Sequence, residues 1–459
     1  MANDVHFQTI GEVAAKLRSG ETTSAALTEL MLDRIEQHNP TLNAFITVTP
    51  ELARDAARQA DTELAAGRDR GPLHGIPIAI KDLFDTAGVR TTYGSKLFED
   101  HVPAKDATVV RRLREAGAVS LGKTGLHELA YGNTSINPFY GAIGNPWAPD
   151  HDPGGSSGGS ASAVAAGLAY AAMGTDTGCS IRQPAHCCGI VGFKPSFGAV
   201  SKAGVFPLVW TMDHIGPLTR SVGDAATVHA AIAGYDPDDP YTALAPPPGP
   251  ADQQVEPLAG KRLGVVRRFF FDGYDDVIEV VEAALQTLTD RGATLIELDI
   301  PDIDEAYAAA STTFVEALAI HQRDFAERPE GYSPYLLGRL EDLQGITAID
   351  YARAQHFRRG YIERIERLMS DCDALVAPTA TITAAPIANR PEDYRHNAWK
   401  NTGISDFTGQ PSISVPCGFT AAGLPVGLMI TGRRWADNDV LNLAAAIERE
   451  TDWRRNPPL

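Results

Sequence analysis

Three short segments carry residue types that packing alone does not explain. The first is Ile76-Pro-Ile-Ala-Ile-Lys81-Asp82, an apolar run that ends on a lysine. Burial favours the neutral amine over the ammonium and so lowers a lysine's pKa. A lysine neutralised in this way is a base that works near pH 7. The same side chain could instead reach solvent or pair with Asp82. The second segment, Pro153-Gly-Gly-Ser-Ser-Gly-Gly-Ser160, sets hydroxyls among glycines that open backbone angles closed to other residues. A phosphate-binding loop would close on Gly-Lys-Ser/Thr, which is missing here. A flexible linker would not run straight into an Ala-rich helical pattern, but a plain turn fits as well as a site. In the third, Gly174-Thr-Asp-Thr-Gly-Cys-Ser180-Ile-Arg182-Gln-Pro184, a serine follows a turn whose successive N–H groups can converge on one point. An oxyanion needs such a nest, although an ordinary strand-to-helix turn has the same composition.

His127, His186 and His214 would suggest a Ser-His-Asp triad, but none sits in a recognisable triad context. Five cysteines (Cys179, Cys187, Cys188, Cys372, Cys417) show no metal-ligand spacing and an odd number for pairing. Free thiols in a reducing cytoplasm, with no metal and no cofactor, are the expectation.

These segments need elements to hold them. From Val5 to about Ala65 the pattern is helical, with Ile10, Val13 and Leu17 and then Leu27, Met31 and Ile35 at three-to-four spacing. Thr22, Thr23 and Ser24 offer an N-cap between the two runs. Ile76–Ile80 reads as a buried strand ending at Lys81. Alternation then follows: Ala107–Ala116 helical, Val119–Leu121 strand-like, Gly125–Ala130 helical. The small-residue tract Ser160–Met173 reads as one packed helix beside the site. Such alternation predicts an α/β fold, a sheet with helices on both faces. Proline-rich residues from Tyr235 to Leu258 suggest a surface connector. Arg262–Val266 and Ala293–Leu298 read as strands around a helix over Val277–Arg291. Residues from about Ala306 to Met369 are mostly helical and suit a cap over a pocket. Ala374–Ala377 and Ser412–Val415 read as core strands.

The chain has 459 residues, 40 Lys plus Arg against 58 Asp plus Glu, and a net charge of −18. An acidic surface of this kind repels nucleic acid and anionic lipid, so direct binding to either is not expected. Arg353, Arg358, Arg359, Arg364 and Arg367 interleave with Glu363 and Glu366 and are read as a solvated helix face. No stretch approaches the roughly 20 apolar residues that cross a bilayer, and the N-terminus has no signal-peptide pattern.

Taken together the three segments resemble the motifs of the amidase signature family. Gly75-Ile-Pro-Ile-Ala-Ile-Lys81-Asp82 is similar to its lysine motif. The Gly154-Gly-Ser-Ser-Gly-Gly and Asp176-x-Gly-x-Ser180-Ile-Arg182-x-Pro184 stretches are similar to its serine motifs. Further similarity runs through Gly189–Pro195, Asp213–Pro217, Arg220, Thr408–Pro411, Val415–Gly418 and Gly423–Gly427, and is weakest between about 235 and 400.

The resemblance implies a central twisted mixed β-sheet covered by helices on both faces, with a helical insertion capping the pocket. Residues 1–65 would be an N-terminal helical segment packed on the core. Residues 66–459 would form the amidase signature domain, with a divergent, partly helical insertion at about 235–400.

It also implies a serine hydrolase in which Ser180 attacks, Ser156 bridges after a cis peptide from Gly155, and Lys81 is the base. Backbone N–H groups of Thr177, Gly178, Cys179 and Ser180 would form the oxyanion hole. Asp176 and Arg182 would pair structurally, and Tyr131, Gly132 and Asn133 would line the substrate pocket. Ser157, also expected near the substrate, would bond within its own loop. Cys179 departs from the family's usual glycine, so either the turn suits an L-residue or the hole is altered. A small amide or carbamate, possibly aryl, is the implied substrate, handled by a monomer or homodimer. An ester specialisation is the same chemistry. The alternative is the glutamine-hydrolysing component of a tRNA-dependent amidotransferase, in which only the partner chains touch tRNA. Retention of all three candidate residues argues against a catalytically dead scaffold.

Overall fold

A capping box opens the first helix, Ile10–Ser19, because Thr9 and Glu12 each accept the other's backbone N–H, and Gly20 ends it in the left-handed region. Thr23, among the three candidates for the next cap, accepts the Ala26 N–H and starts helix Ser24–Leu42. The structure is a computed structural model that describes residues 4–244 and 256–459. Pro246, Pro247, Pro248 and Pro250 of the expected connector lie outside the described residues. The N-terminal segment is not wholly helical. Phe45–Val48, a β-rich run, forms strand β1 and pairs with the sheet before helix Pro50–Ala65 begins.

The strands following β1 are β2 (Pro77–Lys81), β3 (Val119–Thr124), the small hairpin β4 and β5 (Ile136–Asn137, Gly141–Ala142), β6 (Ala171–Asp176), β7 (Val191–Lys194) and β8 (His214–Thr219). Five more complete the described set: β9 (Arg262–Val265), β10 (Thr294–Glu297), β11 (Ala374–Pro378), β12 (Ser412–Phe419) and β13 (Pro425–Thr431). Eleven of them form one mixed sheet in the order β1-β3-β2-β6-β8-β7-β12-β13-β11-β9-β10. β2 runs parallel to both β3 and β6, whereas β6, β8, β7, β12 and β13 pair antiparallel in sequence. All five residues of β2 and all six of β6 are buried, as continuous apolar strands in a covered sheet should be. Their C-terminal ends lie side by side, where open α/β sheets place their ligands.

The tract expected to be one helix from Ser160 to Met173 divides in two. Helix Gly158–Ala165 ends, Gly167 turns the chain at φ 66°, and β6 starts at Ala171. All eight helix residues are buried, because small side chains let it press on the sheet. A Cβ on Gly159 would stand 2.5 Å from the carbonyl oxygens of Ala44 and Gly125. The region expected to cap the pocket holds four helices, Ile303–Thr313, Val315–Glu327, Pro334–Leu343 and Ala348–Leu368. Arg353, Arg359, Arg364 and Arg367 lie on the last, where their heads reach water as expected of a solvated face. Arg358 is the exception: it is partly buried and donates to the carbonyls of Thr211 and Phe407.

Candidate active site

Side chains alternate along a strand, so Lys81 and Asp82 at the end of β2 point to different places. Asp82 lies 3.3 Å from the buried amine of Lys123 and accepts from Thr92 N and Oγ1 at 2.9 and 2.6 Å. Lys81 therefore has neither of the alternative fates open to it in the sequence, solvent or its neighbouring carboxylate. Its amine is fully buried, 2.8 Å from Ser156 Oγ, 2.9 Å from Ser157 Oγ and 2.7 Å from Thr175 Oγ1. Burial pushes the amine down from the ordinary lysine value to about 7, against the opposing pull of Asp176 and Asp213.

The loop that presents Ser156 is fixed from several sides. Gly154 N–H donates to Asp152, Gly155 N–H to Gln183 Oε1, and the Ser156 carbonyl accepts His127 N–H and Ser135 O–H. The Gly155–Ser156 peptide is cis. A Cβ at Gly155 would stand 2.7–2.9 Å from the backbone of Asn133, Thr134 and Ser135, so only glycine fits between these strands of chain. Ser157 N–H donates to the Ser180 carbonyl at 3.3 Å, which ties the two serine-bearing segments together.

Thr177–Ser180 form the turn between β6 and helix Arg182–Cys188. Asp176, the last residue of β6, accepts Ile181 N–H and meets Arg182 Nε at 2.9 Å. The wholly buried guanidinium of Arg182 also reaches Asp406 and the Thr402 carbonyl. Burial would raise the Asp176 carboxyl, but the adjacent guanidinium brings it below its usual value. Thr177 Oγ1 donates to Asp213 at 2.6 Å, so both ends of the turn are anchored. Cys179 has no left-handed φ, which means the turn accommodates an L-residue there. Burial, with Asp176 nearby, holds its thiol well above the ordinary range, so it stays protonated and unreactive.

The chain matches the amidase family over residues 26–441. It is 38% identical to a glutamyl-tRNA(Gln) amidotransferase subunit from Geobacter sp. (strain M21), over 97% of both chains. This chain belongs to the amidase family. Among solved structures it is similar to a protein of a vestigial complex tied to the origins of an s-triazine catabolic enzyme, with TM-score 0.92 and 33% identity, over 98% of this chain and 100% of that one. A bacterial aryl acylamidase of the amidase signature enzymes superposes with TM-score 0.88 at 26% identity, over 98% and 97%. The amidase fold and hydrolytic C–N chemistry follow from this membership.

In this amidase a cleft of about 560 Å³, counting its open mouth, stands over the turn. Thr177, Gly178, Cys179 and Ser180 line it, together with Tyr131, Gly132 and Asn133 as the sequence suggested. Ser157 is elsewhere, buried behind the loop against the Lys81 amine. Leu208, Ser311, Phe314, Tyr335, Arg339, Arg395 and Trp399 contribute further walls. Tyr131 stacks on Phe314 at 5.7 Å, with the Arg339 guanidinium 5.2 Å from the Tyr131 ring. Sequence reasoning missed Thr175 and most of these walls. Nothing local marks them, because most converge on the turn from segments distant in the chain. The segment Phe206–Trp210 serves both core and cleft: Val209 is fully buried and Leu208 lines the cleft. The histidines are used structurally. His127 contacts Thr134, His186 accepts Gly427 N–H, and burial holds them down to about 3 and about 4.

Proposed function

We propose that this amidase is a self-sufficient serine hydrolase for a small amide or carbamate with an aromatic or apolar body. The observation that carries the reading is the Lys81 amine, buried against three hydroxyls. A neutral amine has two protons and one lone pair, so one of its neighbouring hydroxyls must donate to it. Ser157 has another acceptor in the Thr175 carbonyl at 3.3 Å, which leaves the Ser156 and Thr175 hydroxyls as candidate donors to nitrogen, and the relay is assigned to Ser156. Ser180 Oγ then attacks the substrate carbonyl while its proton passes to Ser156, whose own proton passes to Lys81. The N–H groups of the 177–180 turn receive the oxyanion; such donors are worth about 10²–10³ each in rate. Collapse breaks the C–N bond, the departing nitrogen takes the relayed proton, and water later releases the acyl group by the reverse relay.

Similarity to amidotransferase subunits supports a second reading, in which the substrate is glutamine. A free amino acid carries an α-ammonium, and a site for it should offer a carboxylate. Among the described residues lining the cleft none is acidic, and Tyr131, Phe314, Tyr335 and Trp399 stand in its walls beside Arg339 and Arg395; the missing carboxylate and the aromatic rings favour the first reading. The test is purified protein without partners, offered anilides, aryl carbamates and glutamine. Turnover of the aryl substrates is expected. Hydrolysis of glutamine alone, or only with a second chain present, would replace the proposal with the amidotransferase role.

A further inference from the structure

The cleft over the 177–180 turn is not the only space beside this site. A second cavity, about 730 Å³ when its open mouth is counted, adjoins the same turn, and the two share Ala130, Thr177 and Leu208 as a partition. Its inner end includes Thr175, whose hydroxyl lies 2.7 Å from the Lys81 amine. We propose that this cavity is the leaving-group subsite, built for an amine with an apolar or aromatic body. The proposal rests on the relay described above and adds to it where the two halves of the substrate lie.

The argument is one of proton delivery. When the tetrahedral intermediate collapses, the C–N electron pair goes to nitrogen, and the proton taken up by Lys81 returns through Ser156 to that nitrogen. The departing nitrogen must therefore sit on the Lys81 side of the scissile carbon, while the oxygen faces the turn N–H groups. Of the two spaces, the second has Thr175 in its wall, in direct contact with the amine. Its chemistry suits an uncharged body. Phe206 forms a wall held by Tyr93 and Phe98 at ring distances of 4.8 and 5.3 Å, with Val205 and Ala203 beside it. Two buried acids line this cavity and both are engaged within the protein: Asp213 accepts Thr177 O–H and the N–H groups of Leu208 and Val209, and Asp239 accepts the N–H groups of Lys202 and Tyr241, while Asp238 is exposed. At the outer end Trp210 and Tyr241 are 39% and 36% exposed, with the Lys202 amine 4.1 Å from the Tyr241 ring, which gives an aromatic exit to solvent. Ammonia needs none of this room, so the cavity points to secondary amides and carbamates.

Two amides with one shared acyl group separate the possibilities: a primary amide that releases ammonia, and its naphthylamide. Val205→Trp and Ala203→Phe narrow the cavity, and each is expected to lower the ratio of kcat/KM, naphthylamide over primary amide, by about 10²-fold. Trp210→Ala, a change at an exposed position, is expected to raise KM for the naphthylamide relative to the primary amide. Labelling of Ser180 by a fluorophosphonate checks that the narrowed variants keep a folded turn. Equal losses on both substrates in labelled protein would mean the cavity only admits water, and no change in either ratio would mean it does not meet the substrate; each result overturns the subsite. Parent protein that cleaves neither amide would instead remove the hydrolase reading itself, and the subsite with it.

Discussion

Lys81 when neutral has a single lone pair, and the three hydroxyls around it decide where that pair points. The base role proposed for it requires the neutral form, and burial lowers the amine to about 7. The sign follows directly: protonation below that value removes the base, so kcat/KM for an uncharged amide should rise with pH through about 7 and level off above it. Lys81→Met should lower kcat by about 10²–10⁴-fold and abolish that limb, measured as a pH–rate profile of both proteins. A limb that persists in the variant would assign the titration to another group. At this scale much was legible in the sequence, because a lysine ending an apolar strand and hydroxyls among glycines are costly choices for packing alone. Thr175 was not legible. It stands in the third segment with nothing to set it apart from Thr177, and only the parallel pairing of β2 with β6 brings its hydroxyl to the amine.

Helix Gly158–Ala165 shows how an element can be specified by what it lacks. Its Gly, Ala and Ser side chains leave no amphipathic face to read, yet its closeness to Ala44 and Gly125 fixes the loop before it. Gly159→Ala should force a Cβ into backbone carbonyls at 2.5 Å and destabilise the fold by about 1–3 kcal/mol, as overpacking does. Urea unfolding of the two proteins gives the difference, and an unchanged midpoint would contradict the packing described. The division of Ser160–Met173 into a helix and a strand was also signalled. Gly167 stands just past the helix end, where a left-handed residue terminates helices, but the surrounding alanines favour helix strongly enough to hide it. β1 was hidden for the opposite reason: four residues between two long helices are too few for a period to emerge.

Across the whole molecule, charge and recognition work at different ranges. A net charge of −18 repels anions at a distance, whereas Arg339 and Arg395 in the cleft wall act at contact. Salt screens charges beyond about 8 Å at 0.15 M but leaves contacts largely intact. Raising ionic strength from about 0.01 to 0.15 M should therefore increase kcat/KM for an anilide bearing a carboxylate and leave its neutral analogue unchanged. Stopped-flow or steady-state rates at both salts decide it, and a decrease for the anion would show that local arginines dominate the approach. The α/β class and six of the thirteen described strands (β2, β3, β9, β10, β11 and β12) were legible because their pattern is local. The cleft walls were not, since Phe314, Arg339 and Trp399 are set by how distant helices pack, which no window of sequence contains.

Helix Tyr394–Thr408 carries Trp399 into the cleft wall and, further along, Thr402 and Asp406 onto the guanidinium that braces the 177–180 turn. One helix thus touches the cleft at one point and the brace of the proposed oxyanion turn at another. A guest that presses on the tryptophan side would press on that brace too, so poor fit should lower kcat as well as raise KM.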